Sequence, residues 1–108
     1  MREDQITEAV KDKANYSSIV TYFQTQNTLS LDQLALLIDT IEQMSPEIYE
    51  HYRSLQDIFR REVRKKLETS QEAAGEKLAW ILKKGCSTGT LLEEKYAPFY
   101  KTLYSQQQ

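Results

Sequence analysis

A chain of 108 residues with 40% hydrophobic and 28% charged residues lies near globular averages, which excludes a disordered segment and fits one domain over residues 1–108. A single cysteine, Cys86, excludes an intrachain disulfide, and the longest apolar run, Leu34 to Ile38, falls far short of the roughly 20 residues that span a bilayer. Net charge is −2 but unevenly placed: residues 1–50 hold three basic and nine acidic residues, while residues 51–108 hold eleven basic and seven acidic.

The polar start, Met1-Arg2-Glu3-Asp4-Gln5, leads into no apolar leader, so the expectation is a cytoplasmic protein with no membrane segment. Three glycines and two prolines are few for the turn-rich β folds of this size. The composition therefore predicts an all-α fold, a bundle of four main helices plus a short C-terminal one.

The first helix is predicted over about Glu3 to Gln24. Ile6, Ala9, Val10, Tyr16, Val20 and Phe23 fall on one broad face at 100° per residue. Asn15, Ser17 and Ser18 weaken its middle by competing for backbone hydrogen bonds, so a break near Asn15 is allowed. Ser30 then caps a second helix, with Gln33 completing a capping box and Leu29 and Leu34 placed as a hydrophobic staple. Its apolar stripe, from Leu31 to Met44, is wide enough for a central helix.

Ser45-Pro46-Glu47 predicts the start of the third helix: a cap, a proline at the first helical position and an acid at the positive end. Ile48, Tyr52, Leu55, Phe59, Val63 and Leu67 form its buried stripe. Asp57 with Arg61 and Glu62 with Lys66 are spaced as (i, i+4) ion pairs. A break at the capping-box pattern Thr69-Ser70-Gln71-Glu72 is favoured over one helix of nearly forty residues. The fourth helix is predicted over about Gln71 to Lys84, stopped by Lys83-Lys84-Gly85, with Cys86 to Gly89 as a loop. Thr90 and Glu93 form a third capping box. Ala97-Pro98 is expected to interrupt the last helix before Phe99 to Tyr104.

No catalytic, metal or cofactor motif stands out. His51 is the only histidine, and Ile48 stands where an (i, i+3) di-metal motif needs glutamate. Cys86 follows a predicted helix C-terminus, where the dipole raises a thiol pKa. The Gly85–Gly89 loop lacks the lysine of a P-loop and follows a helix rather than a strand. Leu29 to Ala35 has the pattern of a first helix in a helix-turn-helix, but the next segment, Glu47-Ile48-Tyr49-Glu50, is acidic where bases would be read.

Two surface features remain. Arg60, Arg61, Arg64 and Lys65 form a basic face on the third helix, with Arg60 and Arg64 flanking the apolar stripe. A sequence pI of about 5.4 argues against a dedicated nucleic-acid binder. Tyr96, Phe99, Tyr100, Leu103 and Tyr104 form a dense aromatic set, and aromatic side chains are enriched at interaction hot spots. The expectation is a non-enzymatic protein with no cofactor that binds another protein or itself, possible as a homodimer, through that set. The alternative is a nucleic-acid-associated regulator using the basic face.

Overall fold

A computed structural model of the chain describes residues 1–69 and 75–105, with side chains through Lys101 except that of Thr69. The described residues form six α-helices and no strand: α1 (Ile6–Ala9), α2 (Tyr16–Gln24), α3 (Leu31–Gln43), α4 (Tyr49–Thr69), α5 (Glu76–Ser87) and α6 (Glu93–Ser105). The fold is all-α. By backbone proximity the chain divides into two compact units, Met1–Phe59 and Arg60–Gln108.

In the first unit the expected single N-terminal helix is two helices joined by a kink. The break falls at Asp12, three residues before Asn15. Asp12 has extended backbone and its Oδ1 accepts from the Ala14 N–H at 3.0 Å. Asn15 Nδ2 donates back to the Ala9 carbonyl at 3.0 Å. Short polar side chains thus replace the helical hydrogen bonds between α1 and α2. The capping box at α3 forms as expected: Gln33 N–H donates to Ser30 Oγ at 3.1 Å, and Ser30 N–H donates to Gln33 Oε1 at 2.9 Å. Leu29 and Leu34 of the staple are both buried. Along α3, Leu34, Leu37, Ile38, Thr40 and Ile41 are buried, which fits a helix covered on several sides. Tyr16 fixes the end of α3, its hydroxyl accepting from the Ser45 N–H at 2.8 Å.

The start of α4 differs from expectation. Ser45 Oγ accepts from the Glu47 N–H at 3.3 Å, but Ser45 to Ile48 is a turn, and the helix begins at Tyr49. The cap chemistry is used one turn early. The stripe of α4 is buried at Leu55, Phe59 and Val63, and half-buried at Ile48, Tyr52 and Leu67. Ile58 and Glu62 are buried beside it.

In the second unit, α5 starts afresh at Gly75, whose backbone is extended. Residues 46–84 are therefore more than one helix. The pattern Ser70-Gln71-Glu72, with the expected helix start near Gln71, lies outside the described residues. The end of α5 falls later than expected. Gly85 stays helical and buried, and the helix runs to Ser87. Gly89 is the stop: its φ is +76, a left-handed value that glycine adopts without Cβ strain. Its N–H donates to the Cys86 carbonyl at 3.1 Å, and the Thr90 N–H donates to the Gly85 carbonyl at 2.9 Å. That pair of bonds is a Schellman motif.

The helix after Thr90 starts at Glu93, and the Thr90 hydroxyl lies 2.9 Å from that of Thr88. Pro98 does not interrupt α6, which is a full helix of 13 residues. The carbonyl a proline ring crowds belongs to the residue four before it, here Glu94. That residue is in the first turn, where the backbone adjusts at least expense. α5 and α6 pack against each other, and Leu78, Ile81 and Leu82 of the one and Tyr96, Ala97 and Tyr100 of the other are buried.

Candidate functional site

The basic cluster separates into two pairs. Arg61 and Lys65 turn toward Glu62, a carboxylate only 1% exposed: Lys65 Nζ lies 2.9 Å and Arg61 Nε 3.7 Å from its Oε2. A buried charge needs such partners, so these two cations are drawn to a structural role. Arg60 and Arg64 lie on the other side of α4, toward α6. Arg60 Nε donates to the Thr90 carbonyl at 2.9 Å, fixing the start of the α6 segment against α4.

Between α4 and α6 two adjoining clefts share Arg64, Lys95 and Tyr96. The first, of about 180 Å³, is completed by Arg60, Thr90, Leu91 and Leu92. The second, of about 220 Å³, is completed by Leu67, Glu68 and Phe99. Arg60 meets the residues before α6, while Leu67 meets Phe99, so the two helices run parallel along the groove. From Arg60 to Leu67 it follows α4 over a rise of about 10 Å at 1.5 Å per residue.

The groove is apolar below and cationic above. Tyr96 is buried at its floor, with its ring 6.5 Å from that of Phe99. Lys95 Nζ lies 5.4 Å from the centre of the Tyr96 ring, within cation–π reach. Leu92 and Phe99, 74% and 47% exposed, stand at the two ends. Arg64 and Lys95 have no carboxylate within 4.0 Å among the described residues, and both are exposed.

The aromatic set is divided. Tyr96 and Phe99 belong to the groove. Tyr100 is buried elsewhere, hydrogen-bonded to Cys86. The side chains of Leu103 and Tyr104 lie outside the described residues. Leu92 and Lys95 were not among the residues singled out from sequence, and Leu67 was placed only on the buried stripe of the third helix. The signal was the spacing of Leu92, Tyr96 and Phe99, which places one apolar stripe on α6.

Burial raises the Cys86 thiol pKa, opposed by the Tyr100 hydrogen bond and helped by the nearby Glu93 charge. The thiol is therefore held in its poorly nucleophilic form. Burial, then the bond to Cys86 and the charges of Cys86 and Glu93, push the Tyr100 phenol up to about 12. A group whose folded-state pKa lies above its unfolded value of 10 contributes stability that is complete below pH 10. That contribution is lost as pH climbs from 10 toward 12. Thermal melts across pH 9 to about 12 should show a decline that is shallower in Tyr100→Phe than in the wild type. Identical slopes would place Tyr100 in contact with solvent.

Among the described residues, no group of three or more His, Cys, Asp or Glu side chains is placed to hold a metal ion. His51 is half-buried on α4. No described helix is long and apolar enough to cross a membrane. The chain matches no protein-family model, and no curated protein or solved structure is significantly similar to it.

Proposed function

We propose that the protein is a non-enzymatic protein–protein interaction module, and that the α4–α6 groove is its binding surface. The observation that carries this reading is the composition of the groove. The exposed cations Arg64 and Lys95 line it beside the buried Tyr96, between the exposed apolar residues Leu92 and Phe99. Apolar anchors inside a charged rim are the usual anatomy of a protein interface. The fitting occupant is a short segment with an aromatic or aliphatic anchor flanked by carboxylates. A groove of about 10 Å accepts roughly two turns of helix. Each cleft is smaller than the roughly 300–1,000 Å³ of small-molecule sites.

Nucleic-acid binding through Arg60, Arg61, Arg64 and Lys65 is the weaker reading. Two of those four cations are engaged with Glu62, and Arg60 donates to the Thr90 carbonyl. Each phosphate contact adds affinity through counterion release, so the one remaining cation, Arg64, gives little. Glu68, Glu93 and Glu94 dilute the field further.

A pull-down from the native cell with nuclease treatment tests the reading. Wild-type bait is expected to retain a protein partner that the double variant Arg64→Glu/Lys95→Glu loses. In parallel, fluorescence anisotropy with duplex DNA at physiological salt is expected to show weak binding at most. Sub-micromolar, steeply salt-dependent DNA binding that charge reversal abolishes would replace the protein reading with the nucleic-acid one.

A further inference from the structure

The boundary between the compact units is also a boundary in charge. Residues 1–59 hold four basic and ten acidic residues, a net of −6; residues 60–108 hold ten basic and six acidic, a net of +4. The groove lies in the positive unit. The negative unit carries a segment with the chemistry the groove selects. Tyr49 is 63% exposed, a large aromatic ring left in solvent, and Glu50 beside it is exposed, as is Glu47, which pairs with Lys13 of its own chain at 3.0 Å. Tyrosine is enriched among the residues that carry protein–protein binding energy.

Tyr49 and the groove-lining cations share one helix. Tyr49 opens α4, and Arg64 stands fifteen positions further along the same helix, about 22 Å of rise. A groove occupant built on Tyr49 therefore comes from another molecule. A two-fold contact, in which each molecule gives its Tyr49 segment to the other's groove, closes on itself. Resting on the reading of the groove as a protein-binding surface, we infer that its occupant is the Glu47-Ile48-Tyr49-Glu50 segment of a second copy of this chain, exchanged reciprocally in a homodimer. Tyr49 packs between Leu92 and Phe99 of the other copy, and Glu50 faces Arg64 and Lys95.

A charge-swap experiment tests this. Sedimentation velocity of the wild type over a concentration series is expected to show a monomer–dimer equilibrium. Glu47→Lys/Glu50→Lys and Arg64→Glu/Lys95→Glu, each shown to be folded by circular dichroism, are expected to weaken the dimer by about tenfold or more. Mixing the two variants one to one restores opposite charges at both contacts. The mixture is expected to dimerise as the wild type does. Tyr49→Ala, which changes no charge, is expected to weaken the dimer as well. A wild type that stays monomeric throughout would overturn the inference, as would a dimer indifferent to all variants or a mixture that stays dissociated. The outcomes separate from those of the groove reading. A monomeric wild type that still captures a different protein through Arg64 and Lys95 removes the homodimer and leaves the groove.

Discussion

Phe59→Ala is expected to destabilise the protein by about 3–5 kcal/mol, the cost of removing a fully buried phenyl ring from a packed core. Phe59 is 0% exposed and lies on the α4 stripe between Leu55 and Val63, which are equally buried. For a chain of this size each kcal/mol moves the melting temperature by roughly 4–8 °C. Domains hold only about 5–15 kcal/mol in total, so this one substitution brings the fold close to its threshold. Thermal or urea unfolding followed by circular dichroism measures the loss. An unchanged melting temperature would mean that the stripe of α4 faces solvent or a partner and organises no core.

Glu62→Lys is expected to have an effect of similar size, about 3–5 kcal/mol, by a different route. The carboxylate of Glu62 is buried, with Lys65 and Arg61 supplying the opposing charge. A lysine there places a third cation beside those two and leaves a buried charge unpaired. Glu62→Leu separates charge from packing. Replacing a buried ionic group by an apolar one of similar volume is often neutral or stabilising, and Lys65 and Arg61 are both exposed enough to turn into water. The expected order of urea midpoints is Glu62→Leu close to the wild type, with Glu62→Lys far below. Equal and small effects in both would mean that the carboxylate is reached by water and carries no structural charge pair.

Much of the fold was legible because its signals are local. Ser30 and Gln33 lie within one turn, so their capping box needs nothing from the rest of the chain. The periodic stripe of α4 predicted the buried residues Leu55, Phe59 and Val63. Boundaries that depend on choosing between equivalent local signals were less legible. Gly85 and Gly89 both suit a helix stop; the helix continues past Gly85 and ends where the backbone turns left-handed at Gly89. Pro46 and Pro98 show the same limit. One sits in a turn before its helix, and the other is carried inside one.

The site was half legible. Spacing identified Arg60 and Arg64 as flanking the stripe, and Tyr96 and Phe99 as part of an aromatic set. Their meeting across the groove depends on α6 returning alongside α4, a tertiary fact that no local pattern encodes. Glu62 shows the reverse case. It stands seven residues after Leu55, on the buried side of the wheel, yet its charge suggested a surface ion pair with Lys66. Burial and the nearness of Lys65 decide its role instead.

The claim at the centre of this account is that the α4–α6 groove contacts protein. Photo-crosslinking from position 92, at the exposed end of the groove, measures that contact without relying on co-purification. With a photoreactive residue at Leu92 in the native cell, ultraviolet irradiation is expected to yield discrete protein adducts. These should diminish when Arg64→Glu and Lys95→Glu are added. Adducts to nucleic acid, or protein adducts unchanged by the charge reversal, would contradict the claim.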